Sequence, residues 1–133
     1  IIHDVALQKL PVVFAMDRAG LVGEDGETHM GLYDIAYMLS VPGMTVAAPK
    51  DGAEMLGLLR AAVDHTDGPF CFRYPRDASP DIPGAMSEIT ATPYATWDVV
   101  RQGRDFAILA VGTMVNQALA AAELRGLLSG MVE

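Results

Sequence analysis

Residues 11–31 read PVVFAMDRAGLVGEDGETHMG, an apolar run followed by a polar loop rich in glycine. The unbroken apolar run at residues 11–16 is typical of a strand that is covered on both faces, as in a parallel sheet. Four glycines in the loop at residues 17–31 permit positive φ angles and a close approach of the backbone to a ligand. The stretch therefore predicts a buried strand that ends in a functional loop.

Three side chains of this loop carry chemistry. Arg18 supplies a fixed positive charge, Asp25 supplies a carboxylate, and His29 titrates near neutral pH. Each also has an ordinary structural interpretation: a strand-end surface arginine, a turn former in front of Gly26, and a loop hydrogen-bonder. The residue types alone leave both interpretations open.

The first half of the chain alternates helices and strands. The patterns predict a helix end at residues 1–9, strands at 11–16, 44–48 and 69–73, and helices at 31–39 and from 51 to between 65 and 68. This order implies right-handed crossovers and therefore an α/β fold, with a parallel sheet flanked by helices. In such open sheets, ligands bind at the edge formed by the carboxyl ends of the strands.

The second of these helices has a clear start signal. Asp51 followed three residues later by Glu54 resembles a capping box, with Asp in place of the usual Ser or Thr. Helical spacing places four apolar side chains on one face: Met55, Leu58, Leu59 and Ala62. We expect this face to be buried.

The carboxyl edge of the sheet brings distant residues together. Arg18 follows the first strand and Arg76 follows the third, so both lie at this edge although 58 positions separate them. A guanidinium presents a rigid fork that matches phosphate oxygens, and two converging forks suit a dianion. Arg73 lies within the third strand and has the alternative of a structural pairing with an interior acid.

The second half of the chain predicts a further unit. Residues 78–95 contain three prolines and few large apolar side chains, which indicates a linker. Residues 96–100 are expected to form an edge strand, residues 106–111 a buried strand, and residues 112–128 a helix. Because the chain opens on a helical pattern and closes soon after a helix, we expect it to be a piece of a longer protein.

Composition excludes several classes of function. Seventeen acidic residues against nine lysines and arginines give a net charge of −8, which repels nucleic acid and anionic membranes. No apolar run approaches the roughly 18 residues that cross a bilayer. Cys71 is the only cysteine and lies in an apolar run, which indicates a buried packing thiol and a reducing compartment. A cytoplasmic protein is expected, or a plastid protein if a transit peptide precedes Ile1.

An ordered set of short motifs covers nearly the whole chain. The motifs are Asp17-Arg-Ala-Gly20, Gly23-x-Asp25-Gly-x-Thr-His29-x-Gly31, Pro42-Gly-Met44, Ala48-Pro49, Arg73-Tyr-Pro-Arg76, Trp97-Asp-Val-Val-Arg-Gln-Gly and Ile108-Leu-Ala-Val-Gly-Thr-Met114. In this order and spacing they resemble the 1-deoxy-D-xylulose-5-phosphate synthase family of the transketolase superfamily.

The resemblance implies a reaction and its cofactors. Enzymes of this family use thiamine diphosphate and Mg²⁺ to decarboxylate pyruvate and join the remaining two carbons to D-glyceraldehyde 3-phosphate. It also implies a homodimer, in which the cofactors are bound mainly by parts of the protein outside this chain. By the same resemblance, residues 1–77 are part of the pyrimidine-binding domain and residues 96–133 begin the C-terminal domain.

The resemblance also implies roles for individual residues. Arg18 and Arg76 match the arginines that hold the acceptor phosphate, and Asp25 and His29 match polar catalytic residues. Asp25 would orient His29 or accept a hydrogen bond from a sugar hydroxyl. Asp77 departs from the family, which has glycine there; its carboxylate would weaken the phosphate site or merely cap the linker.

Two other functions fit the same residues. Another enzyme of the superfamily, such as the β subunit of a 2-oxo-acid dehydrogenase, would share the architecture. A non-catalytic assembly module, whose apolar edge packs on a partner domain, would also fit. The ordered set of motifs makes the synthase the leading hypothesis, with these two functions as alternatives.

Overall fold

A three-stranded parallel sheet forms the centre of the protein, whose computed structural model describes residues 1–79 and 88–129. The strands are β1 (Val13–Met16), β2 (Thr45–Ala47) and β3 (Phe70–Arg73), in the spatial order β1-β3-β2. All pairings are parallel, and Met16 at the end of β1 pairs with Arg73 at the end of β3. The predicted α/β fold is confirmed, and the central position of β3 puts the chain leading to Arg76 beside the loop that follows β1.

Helices precede, connect and follow these strands. They are a π-helix (Ile2–Ala6), a short 3₁₀-helix (Gly23–Asp25), α1 (Asp34–Leu39), α2 (Gly52–Asp64) and α3 (Met114–Ser129). The predicted helices are thus confirmed, with α1 starting three residues later than expected. No helix within the described ranges has the length and apolar character that crossing a bilayer requires.

The predicted cap of α2 is present with one change of partner. The Asp51 carboxylate accepts the backbone N–H of Glu54 at 2.8 Å, as in a capping box. The Glu54 carboxylate accepts the backbone N–H of Lys50 at 2.6 Å, one residue before the cap. The first contact satisfies an amide group that the start of a helix would otherwise leave unpaired, and the second binds the residue before the cap to the helix.

The buried face of α2 differs from the predicted one. Leu58 and Ala62 are buried as expected, and with Phe70 and Phe72 of β3 they form the main apolar cluster. The prediction was wrong for Leu59, which is 39% exposed. Gly57 and Ala61 are buried in its place, because a second segment of the chain covers that side of the helix.

This covering segment comes from the predicted linker. The backbone N–H of Thr92 donates to the carbonyl oxygen of Gly57 at 3.0 Å. A β-carbon on Gly57 would lie 2.1 Å from the Thr92 hydroxyl oxygen, so the glycine makes room for the segment. The Tyr94 ring packs edge-on against the Phe70 ring, with 5.2 Å between the ring centroids. The Tyr94 hydroxyl oxygen lies 2.9 Å from Nδ1 of His65. Residues 92–94 of the predicted linker are therefore docked on α2 and β3; residues 80–87 lie outside the described residues.

The single cysteine is buried, as expected. Cys71 in β3 is 1% exposed, and its Sγ lies 3.4 Å from Sδ of Met16. Burial, with a smaller contribution from the charge of Asp34, raises the pKa of the Cys71 thiol to about 11. The side chain is therefore a neutral packing group at physiological pH.

Two predicted strands in the second half were wrong. Residues 96–100 and 106–111 are within the described ranges, and neither forms a strand. Their apolar side chains are exposed, with Phe106 at 52% and Leu109 at 74%. A strand needs neighbouring strands to complete its backbone hydrogen bonds, and the described part of the chain supplies none to these segments. The helix predicted after them is confirmed as α3.

Candidate active site

The loop that follows β1 is closed at its base by backbone contacts. Gly31 donates its N–H to the carbonyl oxygen of Arg18 at 2.8 Å, and Gly20 donates to the carbonyl oxygen of Gly31 at 3.0 Å. A β-carbon on Gly31 would lie 2.8 Å from that Arg18 oxygen, so only glycine permits the closure. Ala19 also donates to the carbonyl oxygen of Tyr74 at 3.0 Å, which ties the loop to the chain after β3.

Arg18 has a strained backbone. Its φ angle is +58°, in the left-handed region that residues other than glycine rarely adopt. Such conformations persist where surrounding contacts enforce them, and they occur often at functional sites. The closure of the loop supplies those contacts and fixes the direction in which the Arg18 side chain leaves the backbone.

Asp25 lies between the two arginines that the sequence analysis placed at one edge. Its Oδ2 is 2.6 Å from Nε of Arg18, and its Oδ1 is 3.0 Å from Nη1 of Arg76. The Asp25 side chain is 18% exposed, less than either guanidinium. The fold therefore brings Arg18, Asp25 and Arg76 into one cluster.

Two further carboxylates join this cluster. Asp17 pairs with Nη1 of Arg18, and Oε2 of Glu24 lies 2.9 Å from Nη1 of Arg76. Sequence reasoning missed both residues, and the only signal was that each is adjacent to a candidate residue. With Asp25 included, three carboxylates surround two guanidiniums, so an incoming anion has to compete with acids that are already bound.

The charges of the cluster shift its ionisation equilibria. The hydrogen bond from Arg18 is the largest cause that lowers the pKa of Asp25, and the charges of Arg76 and His29 act in the same direction against burial. The same hydrogen bond raises the pKa of Arg18. Asp25 is therefore a carboxylate at neutral pH and holds the guanidiniums by full charge.

His29 is exposed at the margin of the cluster. Its Nδ1 lies 2.7 Å from Oγ1 of Thr28, a residue that sequence reasoning did not single out. His29 is close enough for its charge to lower the pKa of Asp25. The oxygens of Asp25 accept from the two arginines, and the roles expected for Asp25 toward His29 or a sugar hydroxyl stay predictions.

A shallow cleft opens beside Arg76. It is lined by Leu21, Val22, Gly23 and Glu24 from the loop and by Arg76, Asp77 and Ala78 from the chain after β3. The Arg76 side chain is 48% exposed, so a ligand in the cleft has access to it. The Asp77 carboxylate accepts the backbone N–H of Ala78 at 2.8 Å, which agrees with the capping role considered for this residue.

Behind the cluster lies a buried ion pair. Nε of Arg73 is 2.6 Å from Oδ2 of Asp34, and Arg73 also donates from Nη2 to the carbonyl oxygen of Gly31 at 3.2 Å. The structural interpretation of Arg73, pairing with an interior acid, is confirmed. Sequence reasoning missed Asp34, because an acid in the first turn of a helix is ordinary.

The donors and acceptors of the cluster suit an anion better than a metal ion. Within the described part of the chain, no three His, Cys, Asp or Glu side chains are arranged so that they could hold a metal ion. The three carboxylates of the cluster are each paired with a guanidinium. Arginine forks and an imidazole are the groups that recognise phosphate and move protons.

The chain is similar in sequence to one protein-family model and to several known enzymes. The family model described as transketolase, pyrimidine binding domain, matches residues 1–81. The chain is 49% identical to a 1-deoxy-D-xylulose-5-phosphate synthase of Rippkaea orientalis over 92% of its own length and 19% of that protein. It is 47% identical to the enzyme of the same name from Microcystis aeruginosa over 93% of its length and 20% of that protein. A 1-deoxy-D-xylulose-5-phosphate synthase 1 of Geobacter sulfurreducens is 49% identical over 92% of the chain and 19% of that protein. The chain thus spans about a fifth of the length of the relatives it matches.

Proposed function

Because the chain belongs to the transketolase pyrimidine-binding domain family, we propose that it is part of a 1-deoxy-D-xylulose-5-phosphate synthase. The whole enzyme would condense pyruvate with D-glyceraldehyde 3-phosphate to 1-deoxy-D-xylulose 5-phosphate and CO₂, a step toward isoprenoids, thiamine and pyridoxal. The names of its relatives support this reaction. The observation that carries the proposal is the convergence of Arg18 and Arg76 on one carboxylate.

We assign the phosphate of D-glyceraldehyde 3-phosphate to these two arginines. The oxygens of a phosphate are acceptors of the same kind as those of the Asp25 carboxylate, so a phosphate can compete for the two guanidiniums that Asp25 binds. Each guanidinium has five N–H donors in a fixed fork, so donors remain beyond those already bound to carboxylates. The cleft beside Arg76 would admit the substrate to this position.

We assign proton transfer and orientation to the polar residues of the loop. His29 is exposed, and an imidazole can donate a hydrogen bond or a proton to the aldehyde oxygen as the new carbon–carbon bond forms. Asp25 would keep the two guanidiniums in place before substrate binds. When the substrate phosphate binds, Asp25 would lose part of its hydrogen bonds with the arginines to the phosphate oxygens. Both residues would then contact or adjoin the reacting substrate.

Thiamine diphosphate and Mg²⁺ belong to the proposal as cofactors of the whole enzyme. Thiamine diphosphate, when bound, supplies the carbanion chemistry of the reaction. The described residues do not fit the metal and diphosphate part of such a cofactor, because the carboxylates of the cluster are already paired with arginines. We assign no step of this chain to the cofactors. A cytoplasmic homodimer, completed by the remainder of the enzyme, is part of the same proposal.

A substrate panel tests the proposed function. Purified full-length enzyme would be assayed with pyruvate alone, with pyruvate and D-glyceraldehyde 3-phosphate, and with ketose phosphates. Formation of 1-deoxy-D-xylulose 5-phosphate only when both substrates are present is the expected result. Turnover of ketose phosphates, decarboxylation of pyruvate with no need for the triose phosphate, or no activity in any mixture would contradict it.

A further inference from the structure

The ion pair of Asp34 and Arg73 connects three elements next to the arginine cluster. Arg73 is the last residue of β3, and Asp34 is the first residue of α1. Nε of Arg73 lies 2.6 Å from Oδ2 of Asp34, and the two side chains are 17% and 4% exposed. The loop that carries Arg18 enters α1 at this point, so the pair lies where the sheet, the helix and the loop meet.

Stabilisation of the fold does not by itself explain the ion pair of Asp34 and Arg73. Oδ2 of Asp34 is bound to Arg73, but Oδ1 is buried without a hydrogen-bond partner among the described residues. Removing a carboxylate from water is costly, and a buried pair repays that cost only when its remaining lone pairs are also satisfied. A geometric role accounts better for its presence.

That geometric role leads to Arg18. Arg73 donates from Nη2 to the carbonyl oxygen of Gly31 at 3.2 Å. Gly31 donates its own N–H to the carbonyl oxygen of Arg18 at 2.8 Å. A β-carbon on Gly31 would lie 3.3 Å from Oδ2 of Asp34 and 2.8 Å from the Arg18 oxygen, so Gly31 fills the space between the pair and the strained Arg18 backbone.

We infer that Asp34 and Arg73 are positioning residues, which hold Gly31 and through it fix the Arg18 guanidinium for phosphate recognition. The inference rests on the proposed function, because it takes Arg18 to bind the substrate phosphate. Neither residue touches the substrate. Their effect is on the geometry of Arg18, so it concerns D-glyceraldehyde 3-phosphate and not pyruvate.

A charge-free double variant separates positioning from stability. In the full-length enzyme, Asp34→Leu combined with Arg73→Met removes both charges, so neither is left buried and unpaired. We expect KM for D-glyceraldehyde 3-phosphate to rise about tenfold, since small displacements weaken a positioned contact. KM for pyruvate and the melting temperature should stay close to those of the parent. Amide hydrogens of residues 17–31 should exchange faster in the double variant.

A second variant decides the matter if the double variant does not fold. Arg73→Lys keeps a positive charge toward Asp34, but a single ammonium cannot reproduce the fork that reaches both Asp34 and Gly31. We expect a smaller rise in KM for D-glyceraldehyde 3-phosphate with pyruvate unaffected. Lys50→Met, which removes an ion-pair partner at the start of α2, is the matched control and should change neither KM.

Two results would overturn the inference. One is an unchanged KM for D-glyceraldehyde 3-phosphate in a folded double variant or in Arg73→Lys. The other is an equal rise for both substrates together with a lower melting temperature, which is the signature of a purely structural pair. Arg18→Ala, measured in parallel, keeps the two proposals apart: if it leaves KM for D-glyceraldehyde 3-phosphate unchanged, the assignment of the phosphate to Arg18 fails and this inference fails with it, whereas the substrate panel decides the proposed reaction.

Discussion

Arg76 donates from Nη1 to Oδ1 of Asp25 at 3.0 Å, a contact that joins the chain after β3 to the loop after β1. The two residues are 51 positions apart and meet because β1 and β3 are neighbours in the sheet. Arg18 binds the other oxygen of the same carboxylate. One carboxylate thereby bridges the two guanidiniums.

Replacing Arg76 should impair use of the phosphorylated substrate. Losing one charged hydrogen-bonding group to phosphate costs about 1.5 to 3 kcal/mol, which corresponds to about 10- to 150-fold in kcat/KM. We expect Arg76→Ala in the full-length enzyme to show this loss for D-glyceraldehyde 3-phosphate, with KM for pyruvate little changed. Steady-state kinetics with each substrate varied in turn would measure it.

Arg60 offers a matched control for that experiment. It is an exposed arginine of α2 and takes part in none of the ion pairs of the cluster, so Arg60→Ala removes the same charge without removing the proposed phosphate contact. Equal kinetic effects of Arg60→Ala and Arg76→Ala would show that only the net charge matters, and would count against a phosphate site at Arg76.

Neutralising Asp25 should favour anion binding while impairing turnover. Three carboxylates surround two guanidiniums in the cluster, and Asp25→Asn removes the negative charge that both arginines share. We expect inorganic phosphate to inhibit this variant about threefold to tenfold more strongly than the parent, on the scale of one partly screened charge. We expect kcat to fall, because the guanidiniums lose the group that spaces them.

Inhibition by inorganic phosphate, competitive with D-glyceraldehyde 3-phosphate, is the measurement for Asp25→Asn. Asp64→Asn, at the end of α2, makes the same chemical change away from the arginines and should leave the inhibition constant unchanged. Weaker inhibition of Asp25→Asn by phosphate would mean that Asp25 helps to bind the anion and does not compete with it.

Adding a side chain at Gly57 should displace the segment around Thr92 that covers α2. A β-carbon there would meet the Thr92 hydroxyl oxygen at 2.1 Å and the carbonyl oxygen of Thr90 at 3.0 Å. We expect Gly57→Ala to lower the free energy of unfolding by about 1 to 3 kcal/mol, the usual cost of overpacking. Adding Thr92→Ala removes the nearer atom and should restore part of the loss.

Thermal unfolding of the full-length protein would report both effects. Since alanine favours helix over glycine by about 1 kcal/mol, a Gly57→Ala variant that is more stable than the parent would show that the segment is not docked on α2 in solution. An additive effect of Thr92→Ala, without any rescue, would lead to the same conclusion.

The Cys71 thiol should react slowly and make stability fall at high pH. Its pKa is raised to about 11, so the folded protein retains a proton that the unfolded chain loses near its ordinary value of 9.0. The folded state is therefore favoured below pH 9 and loses this advantage as the pH rises through about 11. At pH 8 we expect alkylation of Cys71 to be at least about 100-fold slower in the native protein than in urea.

Mass spectrometry of the peptide that contains Cys71 would give both alkylation rates. Met16→Leu, which replaces the sulfur atom that contacts Cys71 by a group of similar volume, should leave the slow native rate unchanged, because burial is its main cause. Fast alkylation of the native parent protein would contradict both the burial and the raised pKa.

Local patterns in the sequence were sufficient for several elements. The apolar runs around Phe14 and Phe70, the cap formed by Asp51 and Glu54, and the glycines of the loop each act through near neighbours in the chain. Their alternation led to the parallel sheet and placed Arg18 and Arg76 at one edge. The confirmed parts of the fold are those that form through interactions between residues close together in the sequence.

The wrong predictions concern residues whose burial or secondary structure depends on contacts with distant parts of the chain. Leu59 is exposed, and Gly57 is buried because Thr92 lies against it from a distant part of the chain. Phe106 lies in an apolar run that favours a strand, yet a strand exists only if another strand pairs with it. Neither fact is readable from helical or strand periodicity.

The sequence by itself determined which side chains reach the carboxyl edge of the sheet, because strand polarity and hydrophobic periodicity are local properties. Only the tertiary structure decided how those side chains pair. It placed Asp25 between Arg18 and Arg76, and it set Asp34 against Arg73 behind them. The physical reason is that a charge selects its partner by distance in three dimensions, and that distance is fixed only after β3 takes its place between β1 and β2.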